Sequence, residues 1–166
     1  MKRDSMAGVR RVAILALGAA AFVGTSDIAL AEGGAERIQV VEHATTDTTA
    51  HVGPKADNLG DVLTFANEVF DAADKTKIGT DQGFCIRVAV GKSFECLWTL
   101  SLAHGQITVE GPFLDSGDST LAVTGGTGAY ADVHGEMTLH ARDAKASEYD
   151  FTYKLKHAEQ GRRERD

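Results

Sequence analysis

"LAVTGGTGAYADV", Leu121 to Val133, decides how this chain is read. Gly126 to Ala131 spells G-x-G-x-x-A, the outline of a loop that cradles a pyrophosphate. Such a loop works only where its glycines lead from a strand into a helix, whose first amides then face the phosphates. No helix pattern follows. From Ala131 to Ala141 apolar residues alternate with His134, Glu136, Thr138 and His140, and Gly135 stands mid-segment, which is a strand pattern. The glycines are therefore read as a tight turn between strands, supplying positive-φ positions and a close backbone approach.

Outward from this turn, a period of two dominates the chain from Arg37 onward. Ile38, Val40 and Glu42 share one face of a first strand; Leu63, Phe65, Asn67 and Val69 share one face of the next. Phe84–Val90 and Phe94–Leu102 flank Gly91-Lys92 and read as a hairpin. Ile107, Val109 and Gly111 follow, then Leu121 and Val123 after the turn Asp115-Ser116-Gly117-Asp118. Val133, Gly135, Met137, Leu139 and Ala141, then Tyr149, Phe151, Tyr153 and Leu155, give the clearest alternation. Thr45–Asn58 reads as a loop and Asp71–Lys77 as a short helical turn. Seven or eight short strands without crossover helices predict an all-β antiparallel barrel or sandwich. Closure into a barrel removes exposed edges, and about eight strands leave an interior that is filled by side chains or holds one small ligand.

The N-terminus belongs to another function. Lys2, Arg3, Arg10 and Arg11 precede an apolar run, Val12–Val23, too short to span a bilayer, and Ala29-Leu30-Ala31 supplies small residues at the positions a signal peptidase requires. Residues 1–31 are expected to be a cleaved export signal, residues 32–156 the barrel domain and residues 157–166 a charged tail, with the mature protein secreted or extracytoplasmic. The leader carries four basic and two acidic side chains, so its removal takes the formal charge from -7 to -9. An acidic chain of this kind is a poor ligand for nucleic acid or anionic membrane surfaces, and no stable membrane insertion is expected after cleavage.

The informative residues are polar ones on apolar faces. Glu42 follows Ile38 and Val40, and Asn67 lies between Phe65 and Val69. A carboxylate in an apolar lumen is costly unless paired, and its raised pKa suits acid–base or charge-stabilising work; the alternative is that the strand is short and Glu42 lies at its wet end. Cys85 and Cys96 allow a disulfide in an exported chain. A two-residue Gly91-Lys92 turn sets Cys85 opposite Trp98 and only diagonal to Cys96, which disfavours the bond, whereas a shifted turn permits it. His134, Glu136 and His140 read as a solvated outer face rather than a metal site, and neither a metal nor a cofactor is expected. The chain contains no G-x-S-x-G elbow.

Taken together, "NLGDVLTFANEVFD" (58–71), "IGTDQGFCI" (78–86), "ITVEGPFLDSGDSTLAVTGGTGAYADVHGEM" (107–137) and "YDFTYKL" (149–155) resemble the allene oxide cyclase family and its wider superfamily, which includes the dirigent proteins. The resemblance runs from about Ile38 to Lys156. It implies an eight-stranded antiparallel calycin-type barrel, often trimeric, with an apolar lumen for a small lipophilic molecule. Allene oxide cyclases fold an unstable fatty-acid epoxide for stereospecific ring closure, with a carboxylate stabilising developing positive charge; dirigent proteins orient reactive intermediates without redox chemistry of their own. The family's lumen glutamate matches Glu42, its asparagine Asn67, its phenylalanine Phe65 and its cysteine Cys85, while its lumen tyrosine falls on Phe113. The asparagine that the family places two residues after the glutamate is Ala44 here, and Gly53-Pro54 is a displaced remnant of its Ser-Pro. The resemblance thus implies Glu42 and Asn67 as catalytic residues of an isomerase or cyclase, with Phe65, Cys85, Trp98, Phe113 and Tyr153 lining the substrate. The same lumen equally serves a non-catalytic carrier.

Overall fold

The computed structural model describes residues 36–158; the expected leader and most of the expected tail lie outside them. Nine strands follow in chain order: β1 Glu36–His43, β2 Thr48–Ala50, β3 Val62–Asp71, β4 Lys77–Ala89, β5 Ser93–Leu102, β6 Gly105–Leu114, β7 Ser119–Gly126, β8 Val133–Ala141 and β9 Glu148–His157. They form one antiparallel sheet in the order β1-β9-β8-β7-β6-β5-β4-β3-β2. A further pairing of β1 with β3, from Val40 opposite Asp71 to His43 opposite Glu68, closes eight strands into a barrel. The short β2 takes the rest of that β3 edge, opposite Val62 to Thr64. The protein is therefore the closed eight-stranded antiparallel barrel that the resemblance implies, the first of the two architectures alternation left open, with one added strand.

Alternate residues of each long strand face inward and make the core, because a strand's side chains point to opposite faces in turn. Trp98, Leu100, Ile107, Val109, Met137, Phe151, Tyr153 and Leu155 are all at most 2% exposed and fill the middle of the barrel. Trp98 contacts Phe151 at 5.8 Å between ring centroids and Phe65 edge-on at 5.8 Å, an arrangement aromatic quadrupoles favour. Gly83 makes room for this stack. It lies opposite both Phe65 and Trp98, and a Cβ there would come within 2.3 Å of the Trp98 Cβ.

The glycine-rich stretch is a turn, and four of its amides, those of Thr127, Ala129, Tyr130 and Ala131, are bonded to backbone carbonyls. Thr127 N–H donates to the Gln106 carbonyl at 2.9 Å and Ala129 N–H to the His104 carbonyl at 2.9 Å, tying a single 3-10 turn, Gly128–Tyr130, to the β5–β6 turn. Gly128 has φ +61°, and a Cβ there would approach the His104 carbonyl oxygen to 2.4 Å. Tyr130 N–H and Ala131 N–H close the turn on the Thr127 and Gly128 carbonyls at 3.0 and 3.3 Å, so these amides are not free to hold a phosphate.

Several local expectations are corrected. Cys85 lies directly opposite Cys96, not Trp98, and the two form a disulfide. The turn is longer than Gly91-Lys92, with Ala89 opposite Ser93, and an irregularity between Arg87 and Ala89 shifts the register by one more residue. The supposed helical turn at 71–77 is a hairpin turn closed by Asp71 N–H to the Thr76 carbonyl, and β4 starts at Lys77, well before Phe84. The loop 45–58 contains β2. His157, assigned to the tail, ends β9 and contacts Asp132 and Glu36.

Candidate functional site

The site begins where β1 and β3 meet. Glu42 and Asn67 both point into the barrel, 5% and 1% exposed, so Glu42 is a lumen residue and not the wet end of its strand. Asn67 Nδ2 donates to Glu42 Oε1 at 2.7 Å and to Asp47 Oδ1 at 2.8 Å. Its Oδ1 accepts from Thr45 N–H, Thr46 N–H and Thr46 Oγ1 at 3.1, 3.0 and 2.8 Å. Those three donors leave the amide one orientation, with its NH₂ toward the two carboxylates. Asn67 thereby fastens the loop after β1 to the barrel wall and aims a donor at Glu42.

Across β3–β4, Asn67 faces Asp81. Asp81 is fully buried, and neither carboxyl oxygen receives a hydrogen bond from the described residues. Burial raises the Glu42 carboxyl above its ordinary range against the opposing Asn67 hydrogen bond. Burial first, then the charge of Glu42, raises Asp81 further still. Among the described residues, the hydroxyl of the fully buried Tyr153 and the indole nitrogen of Trp98 also have no hydrogen-bond partner. Polar groups buried in this state are uncommon and cluster where chemistry is done.

Glu42 also faces Tyr149 across β1–β9. The Tyr149 ring stands edge-on to Phe113 at 6.0 Å and stacks on Phe151 at 6.4 Å. Burial and the neighbouring Glu42 charge push its hydroxyl up to about 12. Tyr149 and Phe113, with Leu139 and Ala141, wall a cavity of about 310 Å³ at this mouth of the barrel, rimmed by the Asp115–Gly117 turn. That size is at the lower end for small-molecule sites. Another hollow, of about 390 Å³, lies on the outer wall among His134, Glu136, Lys154 and Lys156, away from the buried carboxyls.

The candidate residues divide accordingly. Glu42 and Asn67 come together as expected from the resemblance, and Phe113 lines the mouth. Phe65, Trp98 and Tyr153 lie in the filled layers, and Cys85 is half of a disulfide that packs inside the barrel at 1% exposure. Arg87, also facing inward, lies 3.6 Å above the Phe94 ring and pairs with Asp57 and Asp115, tying the 44–61 loop to the mouth turn. His43, Asp74 and Glu148 converge on the exterior within 4.8 Å. Arg142 already pairs with Asp74 and Glu148 there, supplying the positive charge that this cluster requires.

The barrel is shared with known proteins. Residues 40–157 match the model of the allene oxide cyclase family. The chain belongs to the allene oxide cyclase family. Among solved structures, it is similar to pyocyanin demethylase, at 25% identity and TM-score 0.63, covering 72% of this chain and 99% of that one. A pterocarpan synthase dirigent protein matches at 14% identity and TM-score 0.62, over 74% and 95% of the two chains. The Diels–Alderase AbmU from Streptomyces koyangensis matches at 17% and 0.61, over 83% and 76%. The last two likenesses concern the fold alone.

Sequence reasoning did not single out Asp81 and Tyr149. Asp81 carries the same signal as Glu42, a carboxyl in phase with apolar inward positions, here Gly83 and Cys85, once β4 is extended to Lys77. Tyr149 shares its face with Phe151, Tyr153 and Leu155 by alternation, and only the pairing of β1 with β9 sets it opposite Glu42.

Proposed function

We propose that this is an exported barrel that takes one small lipophilic molecule at its mouth and steers that molecule's cyclisation or isomerisation. The observation that carries the proposal is the buried Glu42, aimed by Asn67 and facing Tyr149, which itself walls the apolar cavity. Shape supplies orientation, which is worth several kcal/mol in favourable intramolecular reactions. Glu42 stabilises cationic character or moves a proton as the ring closes. The family match supports the reading, and the similarity to pyocyanin demethylase adds pyocyanin to the ligands worth testing. The leader sequence supports export, as does the Cys85–Cys96 disulfide, since such bonds persist mainly in oxidising compartments.

The test is turnover of candidate polyenes, epoxides and phenoxy-radical precursors, with products separated by chiral chromatography. Glu42→Gln is expected to lower the rate by about a hundredfold or more, in the range of a lost acid–base group. Unchanged turnover removes the mechanism. Binding with no product change favours the carrier reading, which the same cavity serves.

A further inference from the structure

We propose that Asp81 is the positioning residue of this site: it stands as a neutral carboxylic acid that donates its proton to Glu42, so that the two side chains hold one proton between them and Glu42 keeps its charge inside an apolar barrel. The inference deepens the role given to Glu42 and rests on that role only for its effect on turnover.

The geometry leaves Asp81 few alternatives. It has no exposed surface, and neither oxygen has a hydrogen-bond donor among the described residues. Its register partner Asn67 has no hydrogen left to give, since both go to Glu42 and Asp47. The groups facing the pair are Asp47 from the loop after β1 and Tyr149 and Tyr153 from β9, with Trp98 from β5 beside Tyr153, and the positive charge that acts on Glu42 is that of His43. His43 is engaged on the exterior by Asp74 at 2.8 Å. An ionised Asp81 would therefore be a buried charge to which no described residue donates a hydrogen bond and beside which no cation is paired, the arrangement folded proteins avoid by neutralising the group. As a neutral acid it becomes a donor, and Glu42 lies within hydrogen-bonding reach. Glu42 Oε1 is taken by Asn67, and no described residue donates to its other oxygen. A proton from Asp81 completes both groups, as in other carboxyl pairs that cannot both ionise at close range.

Infrared difference spectroscopy reads this directly, without any ligand. The wild-type protein at neutral pH is expected to show the carbonyl band of a buried protonated carboxyl, sensitive to deuteration. Asp81→Asn keeps a donor toward Glu42 and is expected to lose that band while retaining whatever turnover or binding Glu42 supports. Glu42→Gln is expected to keep the band at pH 6, which holds the proposal open to test should Asp81→Asn not fold. Asp81→Leu removes the donor, so Glu42 is expected to hold its proton to higher pH and any Glu42-dependent pH profile to move upward. The absence of the band in wild type, its persistence in Asp81→Asn or its loss in Glu42→Gln overturns the proposal. Failure of every ligand assay with the band behaving as stated counts instead against the proposed function.

Discussion

Asn67 and Glu42 stand 25 residues apart in the chain and meet at 2.7 Å inside the barrel, at the seam where β1 closes against β3. Asn67 is held from its other end by three donors of the Thr45–Thr46 segment, so one side chain fixes the loop, the seam and the carboxylate together.

Changing Asn67 to Asp keeps its shape and reverses its role. The new carboxylate keeps the Thr45 and Thr46 donors but turns an acceptor toward Glu42 and Asp47. Removing a buried donor to a charged group costs about 3 kcal/mol by analogy with broken buried pairs. Urea unfolding is expected to show a loss of this order at pH 8 and a smaller one at pH 5, where the carboxyls can take up protons. An equal loss at both values would place the effect outside the carboxyl group.

The buried acids also set the sign of the pH dependence. Glu42 and Asp81 both have carboxyls raised by folding, so above the unfolded value near 4 the folded chain binds more protons than the unfolded one. Their contribution is therefore fully present below about pH 4 and declines as pH rises toward and past neutrality, by up to about 1.4 kcal/mol per pH unit for each group while it titrates. Asp61 acts oppositely. Hydrogen bonds from His51, Val52 and Asn58 hold its carboxyl below the ordinary range despite its burial, and that contribution is lost as pH falls through the acid region. Stability is expected to peak in mildly acidic solution, and Glu42→Gln is expected to flatten the alkaline decline when unfolding is followed from pH 5 to pH 9.

The disulfide links β4 to β5 across a separation of 11 residues. By loop-closure entropy a bridge of this span contributes about 2–3 kcal/mol. Cys85→Ala with Cys96→Ala is expected to lower the denaturation midpoint accordingly, and mass spectrometry of the alkylated wild type is expected to show no modified cysteine until reductant is added.

Gly128→Ala tests the turn that resembles a nucleotide loop. With φ at +61° and the His104 carbonyl 2.4 Å from the added carbon, it is expected to cost about 1–3 kcal/mol. Ligand affinity at the opposite mouth is expected to stay unchanged, as calorimetry with any identified ligand would show.

We also propose a homotrimer, the assembly that the family resemblance implies. The outer face of β4 and β5 exposes Phe84, Ile86, Val88 and Leu97 at 37–48%, an apolar row well suited to a second copy of the chain. Ile86→Lys is expected to convert a trimer to monomer in native mass spectrometry; a wild-type monomer sinks the idea.

How far the sequence could be read depended on range. Period-two alternation is local, so the inward faces of β1, β3, β8 and β9 were legible, and with them Glu42 and Asn67. Register is not local. A turn one residue longer than Gly91-Lys92 and one irregularity near Val88 together moved Cys85 from Trp98 to Cys96, and no single-strand pattern announces either. The Asp81–Glu42 and Tyr149–Glu42 pairs arise only when β1 pairs with β3 and β9, contacts that alternation does not encode. The glycine motif shows the reverse, a strong local pattern whose meaning the following strand cancels.

The most direct measurement is native mass spectrometry of the protein isolated from its own producer, comparing wild type with Ala141→Trp, which fills the mouth cavity. One small apolar molecule is expected on each wild-type chain and none on the variant. A ligand held equally by both, or by neither, contradicts a binding site at this mouth.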